Sequence, residues 1–347
     1  MRVGIGLAAA VALMLALAGE AASPRISVSR PPESLRVGQG WDVQVSARGV
    51  RPTRFVVRLR DRVARFPLVR LGLRLRAFVT FPEAGRWRYG VRVRGRDRLL
   101  GSVLVRPPVP TLQRPYGIVQ EPGGSLLVAD NGSSAILRLS PSTGDGAVLV
   151  RAPFPRDLRP ADNGKLLIAS GRTVLELDPR TRVVRHRYLA AARLEGVAPA
   201  PGGGFYIVEN QSRVVRVAGD GARTVLVDGL NGVHGILPTP AGLVICESFA
   251  GNVLLVTERG TRTLASGLDN PSYAAPAPGG GLYVTEFSAG RLSLVEPSGA
   301  THAVASIGLP GPVSLDAQGR LLVGSLDGRI SRVDPATGRV TRVWPRR

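Results

Sequence analysis

One property of this chain restricts its fold more than any other. A stretch of roughly 38 residues returns six times between Arg114 and the C-terminus. The copies open at Pro115-Tyr116-Gly117, Pro155-Arg156-Asp157, Leu194-Glu195-Gly196, Asn231-Gly232-Val233, Asn270-Pro271-Ser272 and Gly311-Pro312-Val313. Each continues through a glycine-containing turn into a five-residue apolar run, and these runs align at 126–130, 166–170, 205–209, 243–247, 282–286 and 321–325. Runs of that length are strands rather than helices. A polar break, a further strand and a Pro/Gly turn complete each copy. About four strands per period of roughly 40 residues predict an all-β fold, a β-propeller of six blades. One copy alone cannot bury both faces of its sheet, whereas six packed about an axis can.

The repeats leave room for a second domain in a chain of 347 residues. Residues 1–22 stand apart, with Arg2, an apolar run from Val3 to Ala18 and the small-residue exit Gly19-Glu20-Ala21-Ala22. That is the pattern of a secretory signal peptide, too short and wrongly flanked for a spanning helix, with an uncleaved anchor as the alternative. It predicts a secreted, periplasmic or cell-envelope protein. The single cysteine, Cys246, excludes an internal disulfide. Other copies carry Ala129, Ala169, Val208, Thr285 and Gly324 at its position, so a small buried side chain is expected there.

Residues 23–106 repeat with period two. From Leu71 to Phe81 the odd positions are apolar, and Trp87, Tyr89, Val91 and Val93 alternate with Arg88, Gly90, Arg92 and Arg94. Such alternation puts one face on a core and the arginines in solvent. About seven short strands predict a small β-sandwich, followed by a stiff Pro-rich linker over 107–113. The module contains no histidine or cysteine, which leaves it spacing, docking or packing roles.

Net charge is +21, from 46 basic and 25 acidic residues. Between Ser23 and Arg106 there are 20 arginines against five carboxylates, and Lys165 is the only lysine of the chain. A field of this sign gathers anions, and the guanidinium fork matches phosphate and carboxylate. Export argues against nucleic acid and favours an anionic envelope polymer or lipid surface as the partner of this module. A compositional bias towards arginine would give the same numbers with no partner.

The segments Arg114-Pro115-Tyr116-Gly117-Ile118, 123–131 and Ile136-Leu137-Arg138-Leu139 resemble an NHL repeat. Later copies, with Leu230-Asn231-Gly232-Val233 and Leu268-Asp269-Asn270-Pro271, are similar to blades of the senescence-marker/gluconolactonase and strictosidine-synthase-like propellers. The likeness spans about 230 residues. The segment 82–89, with its Gly-x-Trp-x-Tyr core, resembles the late strand of bacterial immunoglobulin-like domains.

In a propeller, first strands line the channel and second strands end at one face, so equivalent residues form rings. The ring closing the second strands reads Asp130, Ser170, Glu209, Glu247, Glu286 and Ser325. Its four acids are oxygen donors suited to calcium or magnesium, or else caps for backbone amides of their own turns. The ring at the channel mouth reads Tyr116, Asp157, Glu195, Asn231, Asn270 and the Gly311 region. The gluconolactonase resemblance implies a metal site drawn from Asn231, Asn270 and Glu195, to which Glu247 adds a strand-ending acid able to hold a cation. It lacks the family's opening Glu, which Pro115-Tyr116-Gly117 replaces.

His234 is the one histidine on a first strand, and His186 and His302 fall on outer strands. His-Gly-Ile followed by a strand-ending Glu resembles the virginiamycin B lyase pattern and implies His234 as general base, with Glu247 orienting it or holding a cation. That lyase carries seven blades and a Trp-Phe-Thr-Glu strand where this chain has Val244-Ile245-Cys246-Glu247. No nucleophile elbow, zinc-type cluster or phosphate-cradling loop occurs. The leading expectation is a monomer that binds a ligand at one propeller face through Tyr116, Asp157, His234, Glu209 and Glu286. The alternative is a metal-dependent lactonase or a lyase acting in the channel through His234 and Glu247.

Overall fold

The computed structural model describes residues 25–345 apart from positions 34, 72 and 258. The expected signal peptide, residues 1–22, lies outside the described residues. The chain divides into two compact units, up to Pro108 and from Val109 onward. Both are built of strands; among the described residues the only helical turns are two short ones, Pro201–Gly203 and Pro278–Gly280. No described helix is long and apolar enough to cross a membrane.

The first unit has eight strands: β1 (Arg25–Val28), β2 (Gly40–Arg48), β3 (Pro52–Leu59), β4 (Arg62–Pro67), β5 (Val69–Leu71), β6 (Arg74–Thr80), β7 (Gly85–Val93) and β8 (Arg96–Val105). They form two four-stranded antiparallel sheets, ordered β1-β2-β6-β5 and β4-β3-β7-β8. The period-two pattern sends Trp41, Val43 and Val45 of β2 and Phe55, Val57, Trp87 and Val91 of β3 and β7 into one shared core. Trp41 meets Phe55 and Tyr89 edge-on at 5.6 and 5.1 Å, and the Trp87 indole donates to Glu83 O at 3.0 Å, so the buried ring has its polar atom satisfied. The strand beyond the expected seven is β5, a three-residue edge strand.

The second unit contains six four-stranded antiparallel sheets, each made of four consecutive strands. Their first strands are Pro115–Gln120, Pro155–Pro160, Leu194–Ala200, Val233–Thr239, Pro271–Pro276 and Pro310–Leu315. Each first strand neighbours the next, and the sixth neighbours the first, so the sheets close a ring consistent with a β-propeller. Second strands such as Leu126–Asp130 and Leu282–Glu286 are buried along their whole length, which is why their sequences run apolar without alternation. Fourth strands such as Val184–Leu189 form the exposed rim. Apolar clusters fill the space between successive sheets; one joins Leu127 and Ala129 of the first to Leu158 and Ile168 of the second.

No strand is exchanged across the seam between the sixth and first sheets. Side chains close it: Leu112, Ile118, Leu126, Leu322, Ile330, Val343 and Trp344 share one cluster. Residues 109–113, expected as a spacer, are therefore partly structural. Leu112 is buried, and its carbonyl lies where a Cβ on Gly328 would sit. Leu268 takes the corresponding place at Gly251, and Ile307 at Gly290. The supposed linker thus supplies the loop that the sixth seam lacks. Only glycine allows that approach, and Gly328 also has φ +85°.

Two features recur in every sheet and decide the site. The residue before each first strand (Arg114, Phe154, Arg193, Gly232, Asn270 and Leu309) accepts on its carbonyl an N–H from the residue after the second strand. Each first strand also carries a β-bulge near its start. The extra residue stands outside the ladder; reading the registers gives Tyr116, Arg156, Glu195, His234, Ser272 and Gly311 around the ring.

Candidate functional site

The ring closing the second strands serves the backbone. Asp130 Oδ1 accepts from the N–H groups of Gln113 and Arg114 at 3.1 and 2.7 Å. Glu247 Oε1 accepts from Asn231 N at 2.9 Å, and its other oxygen from Asn252 Nδ2 at 3.0 Å. Glu286 accepts from Asp269 N at 2.8 Å and pairs with Arg291 at 2.7 Å. Burial pushes the Glu286 carboxyl up, but Arg291, the Asp269 amide and the Ser293 hydroxyl outweigh it and hold the group below its ordinary range. Glu209 pairs with Arg223. In three of the four acids, therefore, a carboxylate caps the loop leading into its own sheet, a charge-assisted bond to otherwise unpaired amides.

Asn231 and Asn270 belong to those loops. Asn231 is exposed; its N–H serves Glu247 and its carbonyl accepts from Phe249 N at 3.1 Å. Asn270 has φ +59°, a left-handed conformation that asparagine tolerates better than most residues, and its carbonyl accepts from Phe287 N at 3.0 Å. Asn270 thus has a backbone reason for its identity, whereas the Asn231 contacts are main-chain ones open to any residue but proline. In the expected metal set of Asn231, Asn270, Glu195 and Glu247, the two carboxylates are engaged in other contacts. The Glu247 oxygens are already bonded, and among the described residues no three His, Cys, Asp or Glu side chains come together to hold a metal.

The bulge residues instead converge. Arg156 stacks its guanidinium over Tyr116, 5.1 Å from the ring centroid, and reaches Glu195 at 3.3 Å. Arg193, in the loop leading to the third sheet, reaches the other Glu195 oxygen at 2.6 Å. Both oxygens of the fully buried Glu195 carboxylate are thus ion-paired, while the buried Arg156 Nε lacks an acceptor. Burial pushes the Glu195 carboxyl up against the pull of Arg156 and Arg193. His234 occupies the next bulge, with Gln211 Nε2 at 3.4 Å from both ring nitrogens. Burial, then repulsion from Arg156 and Arg193, lowers its pKa to about 4, so the imidazole is neutral near pH 7. No hydrogen bond joins His234 to Glu247, whose oxygens accept from Asn231 N and Asn252 Nδ2.

Below this layer lies Asp157. Its oxygens accept from Leu158 N at 2.9 Å, Arg159 Nε at 3.1 Å and, across to the third sheet, Val197 N at 3.2 Å. Burial raises its pKa despite those bonds. Asp157 is thus a staple between first strands, one residue beyond the bulge position expected of it. Tyr273 of the fifth sheet is buried beside this group, and its hydroxyl lacks a partner. Burial, then the charges of Asp157 and Tyr116, pushes its pKa well up. Its ring fits only because Gly235 has no Cβ, which would stand 2.5 Å from it.

Of the residues that converge here, the sequence singles out Tyr116, Glu195 and His234 and not Arg156, Arg193, Gln211 or Tyr273. The signal for Arg156 was present in Pro155-Arg156-Asp157, one residue before the acid that drew attention. Cys246 is buried as expected, and burial pushes its thiol up to about 12. His186 and His302 lie exposed on fourth strands.

No family model matches the chain, and no curated protein matches it. Solved structures do. An auxiliary nutrient binding protein from Bacteroides thetaiotaomicron aligns with a TM-score of 0.55 at 11% identity, covering 91% of this chain and 96% of that one. Virginiamycin B lyase from Staphylococcus aureus aligns at 0.52 and 14% identity, covering 67% of this chain and 86% of the lyase. A gluconolactonase from Xanthomonas campestris aligns at 0.52 and 16% identity, covering 62% and 84%. At such identities the likeness is one of fold, that of propeller-like proteins. The first alignment covers more of this chain than either unit alone contains.

Proposed function

We propose that this is a secreted or envelope protein in which an immunoglobulin-like module precedes a six-bladed propeller, and that the propeller binds a small oxyanion at its mouth. The carrying observation is the buried Glu195 carboxylate set between the Arg156 and Arg193 guanidinium groups, with Arg156 Nε and the nearby Tyr273 hydroxyl left without hydrogen-bond partners. Buried polar atoms are normally paired, and such orphans are what a missing ligand leaves behind. Arg156 and Arg193 outnumber Glu195 in charge, and neutral His234 adds none, so the mouth favours an anion. Glu195 and Tyr273 are suited to hydroxyl donors, so the ligand class is a carboxylate or phosphate that also carries hydroxyl groups. The nutrient-binding neighbour agrees with binding without turnover.

The test is calorimetric titration of the purified chain with phosphate, gluconate and glucose 6-phosphate, beside Arg156→Gln. A hydroxylated anion should bind more tightly than phosphate, and the variant should lose that binding. No heat with any of the three, or equal binding by the variant, refutes the assignment. The lactonase or lyase alternative rests on His234 at the mouth; chelator-sensitive turnover of a lactone, lost in His234→Gln, would put it in place of binding.

A further inference from the structure

The sheet β4-β3-β7-β8 carries nine arginines and one carboxylate, Asp97. Alternation sends Phe55, Val57, Trp87 and Val91 inward, so Arg54, Arg58, Arg86, Arg88 and Arg92 share the outer face. The register sets Arg54 directly opposite Arg92 and Arg58 directly opposite Arg88, with Val56 opposite Gly90 between the two pairs and Arg65 beside Val56 on the other side. Like charges in opposed positions destabilise a sheet. Asp97 offsets one end only, pairing with Arg65 at 2.9 Å and Arg92 at 3.1 Å. The side chains of Arg54, Arg86 and Arg88 have no hydrogen-bond or ion-pair partner among the described residues. Val56 is fully buried yet lies outside the core cluster, as expected of a side chain roofed by arginine stems.

Positions 86, 88, 90 and 92 recur every ~7 Å along β7, so the guanidinium groups form a track of about 20 Å, two abreast at two of its steps. We infer that this face is a docking track for a linear polymer of repeating phosphodiesters, laid along β7. Charge complementarity names a polyanion, the planar arginine forks suit its phosphate oxygens, and the strip geometry names a chain rather than a single ion. The aromatic residues of these four strands (Phe55, Phe66, Trp87 and Tyr89) pack into or against the core. The track therefore lacks the stacking platforms on which single-stranded nucleic acid depends, and a base-free polymer is the occupant. This track is independent of the propeller mouth.

The experiment uses the full chain and poly(glycerol phosphate) as probe, with dissociation constants measured across a range of NaCl. About five or six phosphate contacts give a log–log salt slope near −4 to −5. Arg54→Gln/Arg86→Gln/Arg88→Gln should flatten the slope by about two units and weaken binding roughly a hundredfold at low salt. Arg88→Gln alone should weaken it about fivefold. The control Arg180→Gln/Arg182→Gln/Arg339→Gln removes the same charge from exposed positions of the other unit and should leave the slope unchanged. Equal losses in the triple variant and the control would reduce the effect to net charge and overturn the track. Tighter binding of oligo(dT), or of phosphatidylglycerol vesicles, through the same three arginines would overturn the choice of polymer.

Discussion

No connection between consecutive sheets spans the sixth seam of the ring, which apolar side chains and the Leu112 loop close, and that makes a sharp prediction. Trp344 is 2% exposed within the closing cluster, and Phe205 is 4% exposed within the seam between the second and third sheets. Truncation of either to alanine removes a large buried ring and costs about 3–5 kcal/mol. For a unit of this size each kcal/mol shifts Tm by roughly 2–4 °C, so both variants should melt about 6–20 °C lower. Their modes of failure should differ. The chain crosses the second seam, so freeing either flanking sheet disturbs two neighbours and amounts to global unfolding. The sixth sheet is the last one, and freeing it breaks the side-chain seam and one covalently spanned seam. Trp344→Ala should therefore open locally below its melting temperature. Limited proteolysis with mapping of the cuts reads this directly: early cleavage within residues 321–345 for Trp344→Ala, and protection until global melting for Phe205→Ala. Identical cleavage kinetics in the two variants, or a Trp344→Ala cost below about 1 kcal/mol, would refute the reasoning.

Three further outcomes follow from the same geometry. Glu247→Gln exchanges a charged acceptor for a neutral one at Asn231 N, and should cost about 1–3 kcal/mol in thermal melts while leaving anion binding at the mouth unchanged. His234 holds its folded pKa near 4 against an ordinary 6.5, so the unfolded chain binds the proton first. Stability should then fall as pH drops from about 6.5 to 4, by about 3 kcal/mol, and urea midpoints of His234→Gln should lack this component. Cys246, its thiol near pKa 12 against an ordinary 9.0, should react with iodoacetamide roughly a thousandfold more slowly in the native protein than in urea; comparable rates would contradict its burial.

Much of the architecture was legible because burial writes itself into period and composition. Second strands enclosed on both faces read as unbroken apolar runs, and alternation in β6 and β7 marked sheets with one buried face. The site was legible only in part, for two physical reasons. A bulge adds a residue that alternation does not register, so the repeat points to Asp157 where Arg156 occupies the bulge. The spacing of Glu247 and Glu286 places a carboxylate at the end of a strand without saying whether it faces a channel or turns back onto its own loop. Arg193 and Gln211 lie in loops, where no period operates, and only the folded chain brings them to Glu195 and His234.

The six bulges have an evolutionary consequence. A bulged residue contributes no cross-strand pair, so Tyr116, Arg156, Glu195, His234, Ser272 and Gly311 can be exchanged without rewriting the ladder that carries the fold. Selection can then act on these positions as on letters of a short word, changing its meaning while the page it is written on stays intact. Descendants of one ancestral ring could thus diverge in what they recognise while keeping a shared scaffold, and a library varied at these six positions alone would retrace that history in the laboratory.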